Sequence, residues 1–383
     1  MITAYVKPTN YCNVGCDHCY LTLDVRANKT RMSEQTLRDS ARMLRDMAVA
    51  GRHDSAMILW HGGEPLTMPL EWFEMASSVL DDELGEHYES IQTSLIPFTE
   101  KWIPWVKSRL GSHIGSSIDF NSRKFKGSAE AYQSLWMQKV DLARSHGIHV
   151  VPGTVPSLRE VGRASQINQW FIDRDLLEFN IERYNQFGMD LPDWPSNAQH
   201  SQFLIDLFAD VMVRISLGQS KIPLIRVLAA AIGGVLYDTP GDRWGGSCQS
   251  DFVVIEPDGG LNNCTDKTSF EPAYSNVAQG FGGFASSPMR RKWIRIQAVD
   301  HRKDHCAVCE NRSWCKSGCP ITPNGPSDGQ DECAGYKRFV DYVRDFVSLP
   351  SGLEMARNYH RYCFEGVKGT FDPYGGSKCL AAA

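Results

Sequence analysis

Apolar positions along the chain alternate between two spacings. Ile2 to Val6 is a short apolar run that reads as a strand. From Ser33 to about Ala50 the spacing turns helical, with Ser33 as N-cap and Leu37, Ala41, Leu44 and Ala48 on one face. Ala56 to Trp60 reads as a buried strand, Leu70 to Leu80 as a helix and Ser90 to Thr93 as the next strand. The alternation continues with a helix over Thr99 to Leu110, a strand at His113 to Ile118 and a helix over Ala129 to His146. Next come a strand at Ile148 to Val151, a helix over Ala164 to Asp173 and a strand at Leu177 to Arg183. Pro152 is expected to end its strand, since proline cannot donate to a ladder. Repeated strand–helix units predict a parallel sheet with right-handed crossovers. About six such units precede residue 190, too few for a closed eight-fold barrel. The predicted fold is α/β: an open, partial (β/α)6 TIM-like barrel whose ligands gather at the carboxyl ends of the strands.

Pro192-Asp193-Trp194-Pro195-Ser196-Asn197 is a breaker cluster. Beyond it, helical spacing resumes over Gln199 to Leu217 and Pro223 to Val235, and Leu204, Leu207, Phe208 and Val211 form a core stripe. From Gly241 the character changes again. Phe252 to Glu256 and Leu261 to Cys264 flank Asp258-Gly259-Gly260, a hairpin turn signal. The expected domains are a barrel over 1–191, a helical connector over 192–240, a cysteine-rich domain over 241–349 and a tail over 350–383. Lys378 to Ala383 receive no role.

Length and composition narrow the function. A chain of 383 residues with 42% hydrophobic content can bury a sizeable core in two domains. The net charge of −5 supplies no global basic field for nucleic acid, and Arg290, Arg291, Lys292 and Arg295 read as a solvated helix face. No apolar run is long enough to cross a bilayer, and Met1 leads directly into the first strand without a signal peptide. Twelve cysteines without a secretion signal point to metal ligation in a reducing cytoplasm rather than to a disulfide framework.

Two cysteine groups carry the chemistry. Cys12, Cys16 and Cys19 stand at Cys-x3-Cys-x2-Cys spacing just after the first strand. A loop this short offers three of the four ligands of a [4Fe–4S] cube, leaving one iron open to a molecule that chelates through an amine and a carboxylate. A zinc knuckle with His18 as fourth ligand, or a disulfide pair, is the alternative. The motif, with Tyr20 as its trailing aromatic, closely resembles that of the radical SAM superfamily, in which the open iron holds S-adenosylmethionine (SAM). His61-Gly62-Gly63-Glu64-Pro65 comes after the second strand and matches the family's "GGEP" motif, which holds the methionine amine of SAM. Paired glycines let backbone approach a ligand closely, and Glu64 adds charge. Gln92-Thr93-Ser94 stands where relatives carry Gln-Thr-Asn-Gly, and Ser117-Ile118-Asp119-Phe120 where they carry Ser-x-Asp-Gly. The resemblance therefore implies Tyr20, Gly62, Gly63, Glu64, Gln92, Ser94 and Ser117 as cofactor-binding residues. Turn chemistry is the alternative for Ser94 and Asp119. Along Asn180-Ile181-Glu182-Arg183-Tyr184-Asn185-Gln186, alternation aims Asn180, Glu182 and Tyr184 to one side. Polar side chains on a barrel strand need a ligand or each other, so either substrate contacts or a Glu182–Arg183 ion pair is expected.

The second group is Cys248, Cys264, Cys306, Cys309, Cys315, Cys319 and Cys333, at spacing Cys-x10-Gly-x4-Cys, a gap, Cys-x2-Cys-x5-Cys-x3-Cys, a gap, and Cys. So many thiols with few helices between them need metal for cohesion. The pattern resembles the SPASM extension of radical SAM enzymes, with paired zinc ribbons as the alternative. The resemblance implies an outer cluster on Cys306, Cys309, Cys315 and Cys333 and an inner one on Cys248, Cys264 and Cys319. The inner cluster then has an open iron, a non-cysteine ligand, or Cys363, which otherwise reads as a buried free thiol. Sulfatase-maturating members use an aspartate base near the inner cluster; Asp266, two residues after Cys264, joins Glu182 and Tyr184 as a catalytic candidate.

The cofactors implied by the resemblance are SAM and three [4Fe–4S] clusters, and the implied reaction is hydrogen abstraction from a substrate carbon by a 5′-deoxyadenosyl radical. The expected substrate is a ribosomally made peptide. Expected partners are an electron donor such as flavodoxin or ferredoxin and a separate leader-peptide binding protein. The alternatives are a small-molecule radical enzyme acting on a nucleoside, sugar or amino acid, with or without sulfur insertion, and a non-catalytic Fe–S or zinc protein.

Overall fold

The computed structural model describes residues 1–185, 191–246, 248, 250–267, 269, 271–298, 305–322 and 332–365. Gln186 and the terminal stretch from Lys378 lie outside the described residues. In chain order the strands are β1 (Ile2–Thr9), β2 (Gly15–Cys16), β3 (Ala56–Gly62), β4 (His87–Thr93), β5 (His113–Ser117), β6 (Arg123–Lys124), β7 (His149–Thr154), β8 (Glu178–Ile181), β9 (Leu224–Ile225), β10 (Phe252–Ile255), β11 (Gly260–Asn262) and β12 (Ser275–Asn276). The chain divides into two compact units. The first is Met1–Ile118, Ser122–Val150 and Ser247–Arg295; the second is Asp119–Asn121, Val151–Gly246 and Ile296–Ala383.

In the first unit β1, β3, β4 and β5 pair in parallel, in that order. The helix Glu34–Gly51 between β1 and β3 begins at Ser33, whose hydroxyl accepts from Thr36 N at 3.0 Å. It ends at Arg52 in the left-handed region and buries Leu37, Ala41, Met43, Leu44 and Met47. Trp60 on β3 meets Phe73 of the helix Leu70–Glu83 edge-on at 5.5 Å between centroids, and Phe73 meets Trp105 at 4.8 Å. Aromatic pairs of this kind contribute beyond their area burial and fix helix against strand. The hairpin β10–β11 forms where the turn signal placed it, with Gly259 at φ +85°. Its register puts Thr3 opposite Phe252 and Val6 opposite Ile255, so β10 extends the parallel sheet beside β1.

In the second unit Gly153 and Thr154 of β7 pair in parallel with Asn180 and Ile181 of β8, and Glu178 and Phe179 with Leu224 and Ile225 of β9. β7 runs through Pro152 and does not end at Val151 as expected. Successive amides of a parallel strand face alternate neighbours, so a proline forfeits one rung and the ladder continues at Gly153. β8 stops at Ile181, short of Arg183, so alternation does not extend to Glu182 and Tyr184; Glu182 is exposed and Tyr184 buried. The segment from Pro223 enters β9 before its helix, which begins at Arg226. Ser196 caps the helix Asn197–Ser216 in a reciprocal box with Gln199, and Leu204, Leu207, Phe208 and Val211 are fully buried. Phe120, in place of the family's glycine, packs edge-on to Trp170 at 5.2 Å. Among the described residues no helix is long and apolar enough to cross a membrane.

Candidate functional site

β1 delivers the chain at Thr9 into the cysteine loop, and the end of β3 lies directly against the root of that loop. Gly63 N donates to Thr9 O at 3.1 Å and Glu64 N to Tyr11 O at 2.8 Å. Gly62 sits at φ +122°, and a Cβ there would stand 2.5 Å from Thr9 O. A Cβ on Gly63 would stand 2.2 Å from Asn10 O and 2.4 Å from Tyr11 O. The glycine pair therefore serves the chain itself, by letting two backbones touch. The far side of the loop is also braced. Gly15 and Cys16 pair with Lys124 and Arg123, Asp17 N donates to Ser122 O at 2.7 Å, and Lys124 Nζ stands 2.8 Å from Asp17 Oδ2. None of these restraints uses a thiol. Burial, then the charges of Glu64 and Cys19, push the Cys12 thiol up to about 12. A bare Cys12 thiolate is thus disfavoured, and a positively charged iron core would favour it. Among the described residues no three His, Cys, Asp or Glu side chains stand close enough to hold a single metal ion.

Tyr20, His61 and Lys7 form a second layer. The Tyr20 hydroxyl donates to Gly62 O at 3.1 Å and lies 3.3 Å from His61 Nδ1. Gly62 N donates to His61 Nδ1 at 2.8 Å, so Nδ1 accepts and the neutral ring carries its proton on Nε2. Burial, then the charges of Lys7 and Arg123, bring the His61 pKa down to about 3. Lys7 is fully buried; its Nζ pairs with Glu256 Oε1 at 2.7 Å and stands 5.0 Å from the Tyr20 ring. Asn10 Nδ2 donates to Glu256 Oε2 at 2.9 Å. Burial, then Cys19, Glu256 and Asp266, holds the Tyr20 hydroxyl well above its usual range. Asp266 therefore shares the field of the cysteine loop. Lys7, His61 and Glu256 received no role from the sequence. Lys7 falls on the polar phase of the strand with Thr3 and Tyr5, opposite Ile2, Ala4 and Val6, so the alternation gave no sign that it would be buried.

The strand ends bring the remaining candidates together. Glu64 is 1% exposed, and its carboxylate accepts from Leu66 N at 3.0 Å, Thr93 Oγ1 at 2.6 Å and Ser94 N at 2.7 Å. It clasps β3 to β4. Glu64→Gln turns one acceptor into a donor facing these donors, and is expected to cost about 1–3 kcal/mol. The urea midpoint should fall at unchanged slope; a variant with the wild-type midpoint contradicts the assignment. Gln92 Nε2 donates to Ser117 Oγ at 2.9 Å, and the Tyr132 hydroxyl lies 3.0 Å from Ser94 O and 2.8 Å from Ser117 O. In the second unit Asp119 is 1% exposed and accepts from Val155 N at 2.7 Å, closing the end of β7 as turn chemistry.

The second unit gathers Cys306, Cys309, Cys315 and Cys333 around one cavity of about 360 Å³. A Cβ on Gly335 would stand 2.7 Å from Cys315 Sγ. Burial pushes the Cys315 and Cys333 thiols up to about 12, while the amides of Ser317 and Gly318 act against this at Cys315, and those of Lys337 and Gly335 at Cys333. Four thiols around a cavity, with backbone amides aimed at sulfur, fit a cube with thiolate ligands. Cys319 lies in the same unit, and Cys248 and Cys264 in the first, where Asn263 Nδ2 donates to Cys248 O at 3.1 Å. The Cys363 thiol, in the helix Pro350–Glu365, is pushed up to about 12 by burial and bonds to Tyr359. Of the catalytic candidates, Tyr184 is buried and its hydroxyl donates to Pro192 O. Arg183 donates to Tyr184 O and Asn197 Oδ1.

No family model matches the chain. A protein of Synechocystis sp. described as uncharacterized is 27% identical over 198 residues, which are 46% of this chain and 47% of that protein. The chain thus spans about half the length of this relative. The serine-type anaerobic sulfatase-maturating enzyme of Klebsiella aerogenes is 21% identical over 365 residues, covering 90% of this chain and 87% of that enzyme. Among solved structures, native anSMEcpe with bound AdoMet superposes with a TM-score of 0.76 at 17% identity, over 94% of this chain and 100% of that one. SuiB of Streptococcus suis, bound to its precursor peptide SuiA, gives 0.58 at 14% identity, over 84% of this chain and 72% of that one. The chain has the fold of radical SAM enzymes that carry a SPASM extension, and over nine-tenths of its length it is similar in sequence to an anaerobic sulfatase-maturating enzyme.

Proposed function

We propose that this chain is a radical SAM enzyme that modifies a peptide. The observation that carries the reading is the three-thiol loop locked onto the glycines of β3, with the polar ends of β4 and β5 in the same unit. Cys12, Cys16 and Cys19 would hold a [4Fe–4S] cube, which when bound would supply the electron for reductive cleavage of SAM. The chain's own residues do the rest. Gly62 and Gly63 hold the loop at the strand end, and Glu64 fixes β3 to β4. Gln92, Ser94 and Ser117 offer polar groups to the cofactor, with Tyr20 closing on Gly62 O. The His61 Nε2–H is a fixed donor in a ring that stays neutral. Glu256 and Asp266 are the acids whose charge reaches Tyr20, and Glu256 is engaged by Lys7 and Asn10; Asp266 is therefore the favoured base over exposed Glu182 and over Tyr184, whose hydroxyl is committed. Cys306, Cys309, Cys315 and Cys333 would hold one further cluster, and Cys319 would contribute to another.

Peptide is the favoured substrate because two of the similar structures hold one: anSMEcpe with the Cp18Cys peptide and SuiB with SuiA. An electron donor such as flavodoxin or ferredoxin and a separate leader-binding protein belong to the same reading. Anaerobic incubation with SAM and dithionite, with and without serine- and cysteine-containing peptides, tests it. Peptide-stimulated 5′-deoxyadenosine formation is expected. Stimulation by nucleosides, sugars or amino acids alone would move the reading to a small-molecule enzyme. No 5′-deoxyadenosine from protein with confirmed clusters would end both.

A further inference from the structure

The second unit holds two arginines that the proposed chemistry leaves unused. Arg183 donates to the carbonyls of Tyr184, at 2.8 Å, and Pro195, at 3.3 Å, and to Asn197 Oδ1 at 2.7 Å. All three acceptors are neutral, and among the described residues its buried Nε has no hydrogen-bond partner. Arg243 donates to His200 Nε2 at 2.9 Å and to Ile181 O, and faces Asp242 Oδ1 at 3.4 Å. Both guanidinium groups stand near the Tyr336 ring, at 5.9 and 5.4 Å from its centroid. His200 adds no charge: burial and the two arginines hold it well below its usual range. Asp242 and Glu182 offset Arg243, whereas among the described residues Arg183 donates to neutral acceptors. A half-buried cation whose described partners are all neutral is left poorly compensated.

The segments bearing both arginines are tied to the cysteine turns. Thr322 N closes a turn on Cys319 O at 3.2 Å, and Thr322 Oγ1 donates to Asn185 Oδ1 at 2.9 Å, two residues from Arg183. Beside Arg243, Trp244 Nε1 donates to Gly335 O at 3.0 Å and Gly245 N to Cys315 O at 3.3 Å. Asn197, which holds Arg183, donates to Glu332 O at 3.0 Å, next to Cys333.

We infer that Arg183, seconded by Arg243, is the counter-charge of the cluster to which Cys319 contributes, and raises that cluster's reduction potential. The inference rests on the proposed radical SAM function and its auxiliary clusters. Cys319 is among the charges acting on both Arg183 and Tyr336. A thiolate-bound cube gains one more negative charge on reduction, and a fixed cation stabilises that state more than the oxidised one.

Arg183→Gln keeps N–H donors for Tyr184 O and Asn197 but removes the charge, while Arg183→Lys keeps the charge. Redox titration of the reconstituted holoprotein, monitored by electron paramagnetic resonance, separates them. Arg183→Gln should lower the equilibrium constant for one-electron reduction of one auxiliary cluster at least about tenfold, or about 59 mV. Iron content and the other clusters should be unchanged, and Arg183→Lys should hold the wild-type potential. An unchanged potential in an iron-replete Arg183→Gln protein, or equal shifts in both variants, overturns the inference. Should Arg183→Gln lose iron, Arg243→Gln is titrated with the same two outcomes. Wild-type protein lacking auxiliary clusters refutes the underlying reading instead, and this inference with it.

Discussion

Replacing Cys12, Cys16 and Cys19 together with alanine should remove about four irons per chain and abolish 5′-deoxyadenosine formation. The expected selectivity comes from the way the loop is built. Its backbone is held by Gly63 on Thr9, by Cys16 opposite Arg123 and by Asp17 on Lys124, and none of these contacts needs sulfur. The variant should therefore fold and keep the iron bound in the cysteine-rich region. That region gathers four of its thiols in the second unit, independently of the N-terminal loop. Iron and sulfide analysis, with chromatography of the reaction mixture, reads both effects. A triple variant that retains its full iron and still cleaves SAM would remove the N-terminal loop from the chemistry.

Lys7→Met should be the most destabilising single substitution near the site. It leaves Glu256 with Asn10 as a neutral partner, in a place where the lysine is fully buried and the glutamate side chain is 14% exposed. Breaking a buried pair from one side costs about 3–5 kcal/mol, because the remaining charge is uncompensated. Removing both charges with Lys7→Met and Glu256→Leu should recover much of the loss. Thermal unfolding of the single and double variants measures this. A double variant no more stable than the single one would show that the pair does not act as a unit.

Much of the architecture was legible because its signals are local. Ser33 and the helix behind it, the β3 run Ala56 to Trp60, and the turn at Asp258–Gly260 each carry their own cap, period or turn chemistry. The cysteine spacings were legible for the same reason. Other features depend on partners far away in sequence. Nothing in Phe252–Ile255 announces that it will pair with β1, since parallel pairing at such separation leaves no local mark. Pro152 read as a stop because a single sequence does not show that one missing rung is tolerated between a paired Gly153 and its strand. The role of Gly62 and Gly63 was legible only in part. Their need for bare backbone was plain, but the structure shows that the nearest occupant is the chain's own Thr9–Tyr11. Lys7 was hidden because a lysine in a strand ordinarily reads as an exposed position, and its partner Glu256 belongs to the distant hairpin region.

Metal and sulfide content of the protein, purified without oxygen and reconstituted with iron and sulfide, is the most direct measurement. Three cubes require about twelve irons and as many acid-labile sulfides per chain, with the Mössbauer signature of [4Fe–4S] centres. Stoichiometric zinc in place of iron and sulfide would contradict the reading from the cofactor onward.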